Sequence, residues 1–262
     1  MTQTSRVAFL NASASGIGRA TAIMLASRGF DLFLADIDED GLDRTADEVG
    51  THGATVEKAV ADATKENDVE RCVRDAMAAF GRIDALACVA GGAGGIPMHQ
   101  VDDIPLDHWE KIVSLNLNSV FLACRHVVPV MRDQKYGRIA CISSTVAKGR
   151  LGPVGTMGAR LPYATAKAGL IGFTKQLAKD VGEHGITVNT VLPWLTFGDP
   201  GSKIRESFET QSDEYKTRTL ANSPQKRPVT AAGVAATLCF LLSQEAEYVS
   251  GTSVPVDGAY LN

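Results

Sequence analysis

Val7-Ala8-Phe9-Leu10-Asn11-Ala12-Ser13-Ala14-Ser15-Gly16-Ile17-Gly18 is the stretch on which the reading of this chain turns. Residues 7–10 are apolar at every position, as a strand covered on both faces must be. Gly16 and Gly18 open a segment of helical apolar spacing that runs to Arg28 and stops at Gly29. A strand that passes through glycines straight into a helix begins a βαβ unit. Glycine lets a backbone approach a phosphate, and the helix N-terminus offers N–H groups and partial positive charge.

Working outward, the alternation repeats. Apolar runs at 32–35, 55–60, 83–89, 137–142, 186–192 and 253–256 read as further strands. Helices are expected from the second strand to about Val49, then at 66–80, 107–131, 163–181 and 231–242. Asp107 is a candidate N-cap, and Pro129 is expected to kink or end the last turn of its helix. This order predicts an α/β fold, doubly wound, with a seven-stranded parallel sheet, helices on both faces and one domain over 1–262. Ligands then sit at the carboxyl ends of the strands. Two stretches, 147–161 and 194–227, break the rhythm and read as substrate loops, the second with a charged, weakly helical middle.

Composition removes other classes. The 262 residues are 45% hydrophobic and 21% charged, an ordinary globular balance. A net charge of -4 and a pI near 5.8 give no basic surface for nucleic acid or anionic lipid. No basic segment precedes a long apolar one at the start, and no apolar run reads as a bilayer span, so a cytoplasmic protein is expected. Cys72, Cys88, Cys124, Cys141 and Cys239 lie apart in apolar segments and read as small buried side chains. The five histidines show no ligand spacing, so no metal site is expected.

Two carboxylates follow strands. Asp36 ends the second, where it can accept both ribose hydroxyls of an adenosine and repel a 2′-phosphate. Ser15 and Ile37 bring no cation to hold that phosphate, which favours NAD over NADP. Asp62, just after the third strand, either meets the adenine edge or caps the next helix.

Tyr163-Ala164-Thr165-Ala166-Lys167 places a phenol and an ammonium four apart, on one helix face. A nearby Lys⁺ is expected to lower the phenol pKa toward neutrality, making a general acid/base. With these residues the chain resembles the short-chain dehydrogenase/reductase family over nearly its full length. The matching pieces are Ser15-Gly16-Ile17-Gly18, Trp109 with Asn116-Leu117, Gly137-Arg138-Ile139 leading to Ile142-Ser143-Ser144, Tyr163 with Lys167, Val188-Asn189 with Pro193, and Val256-Asp257-Gly258.

The resemblance implies a Rossmann-type fold and four roles. Ser144, rather than Ser143, would bond the substrate oxygen, and Tyr163 would pass the proton. Lys167 would hold the nicotinamide ribose and tune Tyr163, and Asn116 would bind a backbone carbonyl and a water. It also implies cofactor contacts from Asn11, Ser13, Ser15, Gly16, Ile17, Gly18, Asp36, Asp62, Ala90, Gly91, Tyr163, Lys167, Pro193 and Thr196. Met157, Leu161 and Trp194 join Ser144 on the substrate side.

The chain departs from the family pattern in four places. Asn11-Ala12 stands for the Thr-Gly of the turn, and a methyl group at 12 would disfavour a positive φ. Cys88-Val89 replaces the Asn-Asn that ends the fourth strand, so apolar packing is expected to do the work of the lost amide. Trp194 takes the place of a glycine and is expected to narrow the site beside the nicotinamide. The interval from Ser144 to Tyr163 is lengthened by residues 149–158.

The expectation is therefore an NAD-dependent oxidoreductase acting on a small secondary alcohol or ketone. The alternatives are an NADPH-dependent 3-ketoacyl reductase and a cofactor-binding scaffold without turnover. A homo-oligomer is expected, a tetramer first and a dimer second, with no nucleic acid and no membrane as partner.

Overall fold

The computed structural model describes residues 5–94, 100–149 and 160–261. Its strands are β1 (Arg6–Asn11), β2 (Phe30–Asp36), β3 (Val56–Val60), β4 (Ala85–Cys88), β5 (Gly137–Ile142), β6 (Ile186–Pro193), β7 (Thr196–Phe197), β8 (Val229–Thr230) and β9 (Ser253–Val256). Seven of them form one sheet in the order β3-β2-β1-β4-β5-β6-β9, parallel at every pairing. The chain winds one way from β1 to β3 and the other way from β4, so a crevice opens at the carboxyl ends of β1 and β4.

The helices are α1 (Gly16–Ala26), α2 (Glu39–Gly50), α3 (Glu66–Phe80), α4 (Leu106–Val113), α5 (Ser119–Gln134), α6 (Arg160–Val181), α7 (Lys203–Glu209), α8 (Asp213–Ala221) and α9 (Ala231–Leu241). They cover both faces. Leu10 and Leu34 point to the side of Leu25 and Leu238, while Phe9, Phe33 and Leu86 point to the side of Val127 and Leu170. Alternate strand residues thus feed two cores, and β4, β5 and β6 are buried at every position. That is why these strands read as unbroken apolar runs.

Two sequence expectations change. The helix expected at 107–131 begins at Leu106 after Pro105, so Asp107 lies inside the first turn, its carboxylate accepting the His108 N–H. Pro129 does not end it. The helix runs on to Gln134 and stops at Lys135, at φ 54, because Pro129 faces solvent, where water can satisfy the carbonyl it frees. Between α4 and α5 the backbone widens into a π turn, Ser114–Asn118. This continuous stretch, Leu106–Gln134, has the length and apolarity of a membrane span, but 44% of its most apolar window is buried in the fold. It is a core helix. The weakly helical middle expected within 194–227 is α7 and α8, and they lie between β7 and β8, which pair in parallel.

Candidate active site

The site grows from the carboxyl ends of β1, β4, β5 and β6. After β1, Ala12 takes φ 53, a left-handed conformation in which a Cβ is strained, and Gly16 has the same φ. Gly18 is where the turn is tightest: a Cβ there would lie 1.9 Å from the Ala12 carbonyl oxygen. Ser13 is fully buried, and both its N–H and its hydroxyl donate to the Ala35 carbonyl at 3.3 Å, tying the turn to β2. Ser15 precedes α1 with an extended backbone and makes no side-chain capping bond. Gly16 donates its N–H to Asp199 Oδ2 at 3.3 Å, so an anion already stands at this helix end.

Asp36 ends β2 facing the turn. Its Oδ2 accepts the Ala14 N–H at 2.9 Å, and its Oδ1 accepts those of Ile37 and Asp38. Arg44 nearby sits 3.9 Å from Asp38. Asp62 does not cap α3, whose N-cap is Lys65; its Oδ1 instead accepts the backbone N–H and hydroxyl of Thr64.

The brace at the end of β4 is not purely apolar, contrary to expectation. Asn11 Oδ1 accepts the N–H groups of Val89 and Ala90 at 2.7 and 3.0 Å. The amide absent from β4 is supplied from β1, the neighbouring strand. Its signal in the sequence was an asparagine at the last residue of β1, in register with Cys88. Beyond Ala90, a Cβ on Gly91 would fall 2.6 Å from Asn116 Oδ1 and 2.8 Å from Lys167 Nζ. Glycine there makes room for both.

Asn116 lies in the π turn and is fully buried. Its Nδ2 donates to the carbonyls of Gly92 and Ile112, and its Oδ1 accepts the Gly92 N–H. A widened turn of this kind re-aims a side chain that a regular helix would point elsewhere.

Lys167 is 1% exposed, and its Nζ donates to the Ile142 carbonyl at 2.8 Å. Burial pulls its pKa down to about 8, against the opposing pull of Cys141 and Cys88. The ammonium also sits 5.6 Å from the centre of the Tyr163 ring. Tyr163 itself moves opposite to expectation. Burial raises its pKa, and a hydrogen bond with Ser144 offsets that only in part. Desolvation of the phenolate is the larger of the two effects.

The two serines separate cleanly. Ser143 is 1% exposed and donates to the Lys167 carbonyl at 2.6 Å, fixing α6 to β5. Ser144 bonds Tyr163, and its oxygen also accepts the Val146 N–H at 3.2 Å.

At the end of β6, the Trp194 ring stacks on Tyr260 with centroids 5.4 Å apart and is 6% exposed. Sequence spacing did not pair them; the closing segment folds back because Asp257 accepts the N–H groups of Ala259 and Leu261. Thr196 bonds the Trp194 carbonyl and pairs with Val229. Leu161, in the first turn of α6, is 46% exposed. Met157 and most of the lengthened 149–158 interval lie outside the described residues. Among the described residues no cluster of ligand side chains suits a metal ion, and all five cysteines are buried and free.

Comparison with known proteins follows the same outline. Residues 11–260 match the family model described as enoyl-(acyl carrier protein) reductase. Levodione reductase of Leifsonia aquatica is 34% identical, the alignment covering 97% of this chain and 94% of that one. The 3-oxoacyl-acyl-carrier-protein reductase FabG of Escherichia coli K12 is 33% identical over 97% and 96%. Among solved structures, levodione reductase superposes with a TM-score of 0.86 at 32% identity, covering 98% of both chains. A short-chain dehydrogenase/reductase from Burkholderia xenovorans gives 0.87 at 30% identity, covering 98% and 96%.

Proposed function

The chain belongs to the short-chain dehydrogenase/reductase family, and on that premise we propose that it moves a hydride between NAD(H) and a secondary alcohol or ketone, with Tyr163 as general acid/base. It is an oxidoreductase of the ketoreductase type, as levodione reductase and FabG are by name. The observation that carries the assignment is the Ser144–Tyr163 bond beside the buried Lys167, at the end of β5.

The residues fit a dinucleotide. The start of α1 already holds a carboxylate, the turn tolerates no Cβ at 18, and Lys167 makes one bond to a carbonyl among the described residues, leaving two N–H donors. Gly16, Ile17 and Gly18 with Ser15 would hold the diphosphate, and Asp36 the adenosine ribose, with Asp62 toward the adenine. Lys167 would hold the nicotinamide ribose, and Asn11, Ala90, Gly91, Pro193 and Thr196 would border the rest. When bound, the nicotinamide supplies or takes up the hydride.

The side chains do the proton chemistry. Ser144 holds the substrate oxygen and steadies its developing charge. The raised pKa keeps Tyr163 protonated near neutrality, so its hydroxyl gives a proton to a carbonyl oxygen in reduction. Asn116 anchors the π turn to Gly92 and thereby fixes the space in which the Lys167 ammonium sits. Trp194 and Leu161 would border the substrate. We further propose a cytoplasmic homo-oligomer, a tetramer before a dimer.

Calorimetric titration with NAD⁺, NADH, NADP⁺ and NADPH tests the cofactor. NAD(H) should bind preferentially, and Asp36→Ala should relax that preference; an unchanged ratio would remove Asp36 as the ribose ligand. Tyr163→Phe should lower ketone turnover by about 10²–10⁴-fold, and unchanged turnover would end the acid/base assignment. The FabG relatives favour a second reading, an NADPH-dependent 3-ketoacyl reductase. NADPH preference with turnover of a 3-ketoacyl thioester would establish it.

A further inference from the structure

The segment after β7 reaches back onto the phosphate turn. Asp199 Oδ2 accepts the Gly16 N–H at 3.3 Å, and Asp199 Oδ1 lies 3.1 Å from Arg19 Nη1. Arg19 is held from its other side by Glu48. A Cβ on Gly198 would come within 3.4 Å of Gly16 Cα, so a side chain there would press on the turn. The first turn of α1 carries no acidic residue and Ser15 makes no side-chain cap. The anion at this helix end therefore comes from a residue 183 positions away.

We propose that Asp199 is an internal anion standing where the cofactor diphosphate binds, so that the loop must release the turn as the cofactor seats. The inference rests on reading residues 16–18 as a nucleotide turn. The positive end of α1 favours an anion, and a single N–H cannot serve a carboxylate and a phosphate equally. Side by side, the two anions repel. The contact is easily broken, because Arg19 is 28% and Asp199 44% exposed, and ion pairs that open to water are weak. Glu48 keeps Arg19 in place when Asp199 leaves, and the released guanidinium N–H becomes a donor for the arriving diphosphate. Since Trp194 and Thr196 belong to the same segment, this release also alters the substrate side.

The test is calorimetric titration of the full chain with ADP, which carries the diphosphate without a nicotinamide, and then with NADH. Asp199→Asn removes the charge, Asp199→Ala removes the acceptor as well, and Glu206→Gln removes a charge from α7. Both Asp199 variants should bind ADP and NADH about fivefold more tightly or better, while Glu206→Gln stays within about twofold of the parent. Equal or weaker binding in the Asp199 variants, with the parent binding normally, overturns the internal anion and leaves the nucleotide reading standing. No binding of either ligand by any of the four proteins overturns the nucleotide reading, and this inference with it.

Discussion

Ala12 is the residue whose replacement should most directly report the backbone of the turn. At φ 53 its Cβ crowds the following peptide, a cost of about 1–2 kcal/mol for an L-residue. Ala12→Gly removes that cost. Glycine also widens the unfolded ensemble, which returns about 0.4–1 kcal/mol of the gain. The net expectation is a stabilisation of about 0.5–1 kcal/mol, or roughly 1–3 °C in thermal midpoint for a chain of this size. Urea unfolding followed by circular dichroism, at one fixed protein concentration so that assembly does not shift the midpoint, measures it. Ala12→Val, whose β-branched side chain tolerates this φ less well, should move the midpoint the other way. No change or a loss of stability in Ala12→Gly, with Ala12→Val no worse than the parent, would refute a left-handed Ala12.

Other residues of the site carry sharp expectations. Gly18→Ala puts a Cβ 1.9 Å from the Ala12 carbonyl oxygen, so it should abolish nucleotide binding in the titration above; parental affinity would show the turn is looser than described. Asn11→Leu strips the acceptor from the Val89 and Ala90 N–H groups and should destabilise by about 2–4 kcal/mol. Hydrogen exchange at those two amides should accelerate, and unchanged protection would disprove the brace. Lys167 is depressed from 10.5 to about 8 by burial, so the unfolded chain binds its proton more tightly. Stability of the parent relative to Lys167→Met should therefore rise as pH goes from about 8 to 10.5 and be flat below 8. Ketone reduction, which uses the charged ammonium, should fall in kcat/KM above about pH 8; a profile flat past pH 9.5 would separate Lys167 from the reaction.

The fold was legible because its strands are buried on both faces. A strand with no solvent side shows as an unbroken apolar run, and the glycine punctuation between strand and helix is local chemistry. The seven strands and the helix at Glu66–Phe80 needed nothing beyond neighbours in the chain. The Tyr163–Lys167 pair was equally local, four residues on one helix. Two boundaries differed from expectation, one for a tertiary reason and one for a local one. Pro129 stays inside α5 because it faces solvent, and Asp107 yields the cap position because Pro105 sets the entry of the chain.

What spacing could not supply is whatever depends on distant segments meeting. The sequence showed an amide missing from the end of β4; only the pairing of β1 with β4 showed Asn11 restoring it. The sequence placed a cation four residues from a phenol; only packing showed the ammonium against the ring, with desolvation deciding the sign of the Tyr163 shift. The resemblance already preferred Ser144 to Ser143; what α6 lying on β5 added is the physical separation, one hydroxyl consumed by the Lys167 carbonyl and the other meeting Tyr163. Asp199 on Gly16 and Tyr260 on Trp194 join residues from separate turns of the chain. Periodicity records which side of an element is buried, and the sequence alone determined that much; which partner waits on that side is a property of the closed fold.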